Sequence, residues 1–383
     1  MERKKKILVF SDWYLPGYKA GGPIQSVANI VGHLKNDFDF HIVTSDRDLH
    51  CNTPYKNINV DSWNKMPDGS SVFYFSPENQ TKKNLEKIIL DSQADVIYLN
   101  SLFSKFFTIY PLLIRNKLLP SRKVVLAPRG MLGKGALDIK PAKKKLFLLG
   151  SRLTGLYSTI RWHASSDLEE KEIKNTFGKS AKVQVALNLT APRTLQTEQR
   201  EKSINKLKAV FISRISTKKN LDGTLKLLAK IPEKYSIAFD IYGPIEDETY
   251  WNQCKALIES MPKHIKVSYK GAIKNEEVVS ALQHYHLSIL LTFNENFGHS
   301  IVESMAAGCM VLLSDQTPWK NLAIKKVGWD LANENIIGIQ DAIIACSKMN
   351  QIEFNESSAA ALAYASEIIN NPTSIAQNRA LFN

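Results

Sequence analysis

The sequence predicts an α/β protein made of two doubly wound, Rossmann-like units with parallel sheets. Three observations lead there. Short, strongly apolar runs alternate with helix-like stretches along most of the chain, as in a parallel sheet covered on both faces. The 383 residues exceed what one compact core holds, so two units of roughly 150–200 residues follow. The alternation also lapses once, in a polar stretch near the middle, and then restarts.

The first half supplies "KILVFS" as a strand, the glycine-rich loop "PGYKAGGP" and the helix-like "IQSVANIVGHL". "FDFHIVTSD", "SSVFYFS", "ADVIYLN" and "KVVLAPRG" are further strands, with helices such as "TKKNLEKIILDS" between them. "STIRWHASSDLEEKEI" reads as a strand entering a helix capped by Ser166 or Asp167, with acids in its first turn. The polar stretch "NLTAPRTLQTEQREKSINK" has no apolar period and reads as a linker. The rhythm resumes with "KAVFISR", "LDGTLKLLAKI", "YSIAFDIYG", "TYWNQCKALIESM", "HIKVSYKG", "NEEVVSALQHY", "LSILLTF" and "CMVLLSD". The last segment looks helical and is interrupted near Pro372. The expected division is 1–190, a linker over 191–206, 207–365, and a helical segment over 366–383 that packs back on the first unit. Ligands of such sheets sit beyond the carboxyl ends of the strands, so a cleft between two facing units is the expected site.

Bulk properties exclude several classes. No apolar run approaches the ~18–20 residues a bilayer span needs. The opening "MERKKKILVFSDWY" is basic, but its apolar part, Ile7 to Phe10, is too short for a signal peptide, which predicts a cytoplasmic protein. Cys51, Cys254, Cys309 and Cys346 lie far apart and read as reduced thiols. His284 and His286 would point in different directions on a helix, and no metal signature is present. Asp37–Asp39 ("DFD") and Asp46–Asp48 ("DRD") match a D-x-D pattern too short to be specific.

The net charge of +13 is unevenly placed: residues 1–190 carry 29 Lys/Arg against 17 Asp/Glu, and the remainder 21 against 20. Arg3–Lys6 and Lys140–Lys145 are the densest clusters. They read either as a solvated face or as a surface that meets anionic lipid headgroups or a phosphorylated acceptor, the lipid case implying peripheral attachment to the inner face of the plasma membrane. No nucleic-acid module accompanies the charge, so nucleic acid is not an expected partner.

Two stretches of the second half carry chemistry. In "FISRISTKKN", Arg214 follows a buried strand and Lys219 lies five residues on. A guanidinium and an ammonium at a strand's carboxyl end suit a diphosphate, and equally two loop cations. In "ENFGHSIVESMAAG", Asn296-Phe297-Gly298 turns the chain into a helix starting near His299 or Ser300. Its first N–H groups are free to bind phosphate. Glu295 precedes the helix and can reach ligand hydroxyls; Glu303 lies about one turn inside, where a carboxylate can take both hydroxyls of a ribose. In the first half, Gly21-Gly22 precede a helix and read as a phosphate or sugar approach, or as a plain tight turn.

Taken together, these stretches resemble the retaining glycosyltransferases of family 4, which have the two-Rossmann GT-B architecture. The resemblance runs in order through "WYLPGYKAGGP", "APRGML" (Ala127–Leu132), "HASSDLEEKEI" (His163–Ile173), "SRISTKKNL", the E-x7-E pair Glu295 and Glu303, "TPW" (Thr317–Trp319) and "VGW" (Val327–Trp329). "PRGML" and "TPW" resemble members that build bacterial surface polysaccharides. It implies that Arg214 and Lys219 bind the diphosphate of a nucleotide sugar, that Glu295 contacts the sugar and that Glu303 contacts the ribose. It implies a phosphate cradle at Asn296, Phe297, Gly298, His299 and Ser300, a base near Ala272 and Ile273, and further donor contacts at Gly21, Gly22 and Gly243. It also implies a saccharide or lipid-linked acceptor, and neither cofactor nor metal. Arg129 stands where many members have a histidine and becomes a candidate for donor or acceptor binding. Asn188-Leu189, Ser213 and Asn220 also depart from the pattern. A nucleotide-sugar 2-epimerase and a non-catalytic nucleotide-sugar-binding subunit share the architecture and are the alternatives.

Overall fold

A computed structural model describes residues 3–137, 141–191 and 200–383. The chain divides into two compact units, one of residues 1–192 with 371–383 and one of residues 193–370.

The first unit is an eight-stranded sheet. Its strands are β1 (Lys5–Phe10), β2 (Phe38–Ser45), β3 (Trp63–Lys65), β4 (Ser71–Phe75), β5 (Val96–Leu99), β6 (Lys123–Leu126), β7 (Arg161–Ala164) and β8 (Val183–Val185). Their order is β3-β4-β2-β1-β5-β6-β7-β8. Every neighbouring pair is parallel except β3 with β4. The central strand β1 shows why. Leu8 and Phe10 pack into one apolar layer, while Ile7 and Val9 pack into another. Both faces of the strand are therefore buried, which is why it reads as a continuous apolar run.

The second unit repeats the plan with six parallel strands. They are β9 (Lys206–Ile212), β10 (Ser236–Tyr242), β11 (Ile265–Gly271), β12 (Leu287–Leu290), β13 (Met310–Ser314) and β14 (Gly328–Leu331). The order is β11-β10-β9-β12-β13-β14. Ala209 and Phe211 of β9 enter one layer, Val210 and Ile212 the other. In each unit the chain winds outward in one direction and then returns beside its first strand. The reversal falls between β1 and β5, and between β9 and β12, and ligands of open α/β sheets bind where the order reverses.

Several elements differ from the sequence reading. β3, β8 and β14 escaped it because they are short and partly polar, β3 mostly exposed and the other two mostly half-buried. β12 stops at Leu290, and Thr292 and Phe293 bond to the loop after β9 instead of continuing the strand. The stretch read as linker is a linker neither in position nor in character over residues 200–206; residues 192–199 lie outside the described residues. Arg200 is buried and donates to the carbonyls of Tyr285 and Ala307 at 2.5 and 2.6 Å. Lys202 is buried and donates to the carbonyls of Ser347 and Met349. Two cations thus tie this strap to the second unit, and composition alone cannot tell a buried, carbonyl-bonded cation from a solvated one.

The final segment also divides differently. The helix Gln351–Ile369 belongs to the second unit, and the helix Pro372–Ala380 leads the chain into the first. Phe382 is fully buried there, edge-on to Phe38, Phe40 and Tyr98 at 5.4, 5.9 and 5.5 Å.

Candidate functional site

In the second unit, the residues singled out from sequence fall on neighbouring loops at the carboxyl ends of four adjacent strands. Arg214 and Lys219 follow β9, Gly243 follows β10, Ala272 and Ile273 follow β11, and Glu295 to Ser300 follow β12. The loops are stitched to one another. Ser213 N–H donates to Tyr242 C=O, and Ile215 N–H to Pro244 C=O. Gly243 N–H donates to Gly271 C=O at 2.9 Å. A Cβ at Gly243 would lie 1.8 Å from the carbonyl oxygen of Ser213, so only glycine lets the first two loops run this close.

The loops after β9 and β12 flank the reversal, and they are bound most tightly. Phe293 N–H and the Thr292 hydroxyl both donate to Lys218 C=O, at 2.9 and 3.0 Å. Asn220 adopts a left-handed conformation and its side-chain amide donates to Leu291 C=O at 2.9 Å. Between these ties, Lys219 Nζ meets Glu295 Oε2 at 2.5 Å, with both side chains largely buried. Burial works to raise the Glu295 carboxyl, but Lys219, with Lys218 and the Asn296 N–H adding to it, holds the group below its ordinary value. Burial likewise lowers Lys218, with Lys219 adding to the effect. Arg214 points to the rim and pairs with Glu246 at 2.8 Å, each about one-third exposed.

The turn after Glu295 starts the helix His299–Ala306. Gly298 caps it at φ 77°, with no side-chain cap and no acid in the first turn. The left-handed backbone favours glycine, and a Cβ there would fall 2.5 Å from Ile301 Cδ1, so that side chain would have to move. Phe297 is held from behind by Trp319, whose ring N–H donates to Phe297 C=O at 2.5 Å. Glu295 N–H donates to Gln316 C=O at 2.9 Å. The "TPW" loop therefore braces the turn. His299 packs against Phe297 with ring centres 4.9 Å apart, and Ser300 and the buried Glu303 lie further along the helix. Ala272 is exposed and Ile273 half-buried. A diphosphate suits this arrangement: an ammonium, a guanidinium and a helix start without a side-chain cap all offer donors at the carboxyl ends of neighbouring strands.

In the first unit, Gly21 caps the helix Gly22–Leu34 at φ 69°, again with no side-chain cap. The loop before it is fixed by Asp48, whose Oδ2 accepts from the N–H groups of Tyr18 and Lys19 at 2.8 and 3.1 Å. Asp46 is engaged by Arg47 at 2.7 and 3.0 Å. "DRD" thus organises a loop.

Arg129 lies in a network of its own unit. Its Nε donates to Asn100 Oδ1 at 2.7 Å, Nη1 to Asn188 Oδ1 at 2.5 Å, and Nη2 to the Tyr98 hydroxyl at 2.7 Å. Tyr98 passes its proton contact to His163 Nδ1 at 2.8 Å, and His163 Nε2 bonds Ala186 C=O at 2.8 Å. Burial, with Arg129 adding to it, lowers His163 to about 3, so the ring is neutral and its Nε2 carries the proton. Buried Glu169 closes the cluster by accepting from Gly130 N–H and from the Ser165 N–H and hydroxyl. Arg129 therefore ties together the ends of β5, β6 and β8. Sequence reasoning missed Tyr98 and Asn100 as its partners, and His163 and Glu169 as further members of the cluster; the polar residues ending "VIYLN" and opening "HASSDLEE" were the available signal. It also missed Asp12, just past β1, where burial raises the carboxyl although Ser104 donates to it at 2.6 Å.

Residues 193–364 match the family model of glycosyl transferases group 1. No curated protein sequence matches the chain. Among solved structures, Anabaena Alr3699/HepE in complex with UDP and glucose aligns with TM-score 0.71 at 14% identity, covering 98% of each chain. The Escherichia coli trehalose-6-phosphate structure bound with UDP-2-fluoro glucose aligns with TM-score 0.71 at 10% identity over 99% of each chain. WaaG, a glycosyltransferase involved in lipopolysaccharide biosynthesis, aligns with TM-score 0.61 at 12% identity over 98% of each chain. The fold is that of GT-B glycosyltransferases. With its glycosyl transferases group 1 domain, the chain is a transferase enzyme.

Proposed function

We propose that this glycosyltransferase moves a sugar from a nucleotide-diphosphate sugar to a saccharide or lipid-linked saccharide acceptor, with retention of configuration and without a metal. The observation that carries the reading is the Lys219–Glu295 pair at the strand-order reversal, beside the bare start of the helix His299–Ala306. The similar structures named with UDP-glucose and UDP-2-fluoro glucose support a nucleotide-diphosphate sugar as donor. The likeness to WaaG supports a role in cell-surface polysaccharide synthesis. Peripheral attachment at the inner face of the plasma membrane is read from the basic excess of residues 1–190 alone.

The chemistry follows from charge. Breaking the bond between the anomeric carbon and the diphosphate oxygen leaves negative charge on the diphosphate and positive charge on the carbon. Lys219 has three donors, so it can hold Glu295 and a phosphate oxygen together. Arg214 sits at the rim, where it can exchange or share Glu246 for the other phosphate. The helix start supplies backbone donors without a counter-ion. Glu295 lies on the sugar side, where its carboxylate accepts from sugar hydroxyls and faces the developing positive charge. Glu303 takes the ribose hydroxyls. The acceptor hydroxyl attacks from the face the diphosphate leaves, forming the new carbon–oxygen bond. Its proton passes to the departing phosphate oxygen.

Glu295→Gln and Arg214→Ala should each remove most transfer activity and leave the fold intact; wild-type turnover in either contradicts the assignment. Activity in excess EDTA supports the metal-free reading, and a loss that Mn²⁺ restores refutes it. The anomeric configuration of the first-formed product, read by NMR, tests retention. Conversion of the donor without an acceptor would instead identify an epimerase.

A further inference from the structure

We propose that the helix Pro141–Leu153 of the first unit is a docking element that lies on an anionic lipid surface, with its leucines in the acyl–headgroup boundary. The inference rests on the proposed peripheral attachment and not on the transfer chemistry. The helix reads PAKKKLFLLGSRL and is amphipathic in both directions. Its inner face is anchored. Leu148 and Ser151 are buried, and Phe147 packs edge-on against Phe103 at 5.6 Å. Lys144 turns inward, its ammonium donating to Ala136 C=O at 2.5 Å and lying 5.4 Å from the Phe103 ring centre.

The outer face is apolar. Leu146, Leu149 and Leu153 are 73%, 54% and 80% exposed. Their spacing of three and four residues places them in one stripe along the helix. Ile204, Ile324 and Ile352 stand singly, and the exposed Ile336 and Ile337 are adjacent residues at one helix start, not a stripe along it. A single exposed leucine needs no explanation, but three in one stripe do.

Charge selects the occupant. At 100° per residue, Lys145 and Arg152 border the stripe on one side and Lys143 on the other, all three exposed. The lysines lie in the first turn and a half, where the helix dipole disfavours cations, and no acid accompanies them there. Their position therefore costs the isolated helix stability. A negatively charged surface contacting both the cations and the leucines offsets that cost. Apolar residues facing outward between basic flanks are the pattern of a helix lying in a membrane interface.

The test uses the full chain and vesicles of phosphatidylcholine with or without phosphatidylglycerol, read by co-sedimentation. The wild type should bind the anionic vesicles, more weakly at high salt, and bind the neutral ones poorly. Replacing Leu146, Leu149 and Leu153 together by Gln, which keeps helix propensity, should weaken anionic-vesicle binding at least about tenfold. The pair Lys143→Glu and Lys145→Glu should weaken it by a similar factor. Nucleotide-sugar binding of both variants should stay at the wild-type level and thermal stability of neither should fall, the lysine-to-glutamate pair gaining a little from the helix dipole, which separates this inference from the donor-site reading. Unchanged vesicle binding in the triple-leucine variant would overturn it, as would a wild type that ignores anionic vesicles at low salt. So would a wild-type dimer that the leucine substitutions convert to monomer, since the stripe would then be covered by a second copy.

Discussion

The two units share a plan and use the ends of their strands differently. In the first, the cation at the strand ends is consumed internally: Arg129 spends three donors on Asn100, Asn188 and Tyr98. In the second, Lys219 pairs with Glu295, and Arg214 pairs with Glu246 at the rim. A guanidinium bonded on three sides by neutral groups holds a framework together. An ammonium against one carboxylate, next to a bare helix start, keeps donors for a ligand. The same winding thus yields a clamp in one half and a candidate site in the other.

Mutations can break this contrast, beginning where the largest effect is expected. Lys219→Ala should lower transfer about 100- to 1000-fold, the loss typical of one preorganised donor at a developing anion. Steady-state kinetics check it, and a loss under tenfold would place Lys219 with the framework. Arg129→Ala should lower stability by about 2–4 kcal/mol, because it strands buried polar partners. Denaturant unfolding measures this, and nucleotide binding by the folded variant should persist. Gly298→Ala should cost about 1–3 kcal/mol through its left-handed backbone and the contact with Ile301. It should also weaken donor binding, because the helix start must shift.

Smaller effects sharpen the picture. Arg214→Ala should change stability by no more than about 0.5 kcal/mol, since its pair with Glu246 is partly exposed, while transfer falls. The Glu295 carboxyl is held below its ordinary value, so its contribution is fully present above that value and is lost as pH falls through the folded pKa. Stability followed by urea unfolding should therefore drop below about pH 4 in the wild type, and less steeply in Glu295→Gln.

Much of this was legible in the sequence. Buried parallel strands write themselves as apolar runs such as "ILVF" and "VLLS" because both faces pack, and they located most of the central strands. The turn at Gly298 was legible because glycine and the residues around it serve local geometry. The strand-end loops that gather the second unit's residues were legible for the same reason. The partners of Arg129 were not, because Tyr98, Asn100 and Asn188 lie far from it in sequence and only the strand order joins them. Arg200 and Lys202 misled for the converse reason: their backbone-carbonyl partners leave no trace in side-chain composition. The leucine stripe of Pro141–Leu153 was hidden within a charge cluster, and its Lys140 lies outside the described residues.

The most direct test of the central claim is calorimetric titration of a nucleotide-diphosphate sugar, chosen by thermal-shift screening, into wild type and Lys219→Ala. The account predicts binding by the wild type and an affinity at least about tenfold lower in a Lys219→Ala protein that remains folded, as expected for a lost charge-assisted bond. Equal affinity in the two proteins would contradict it.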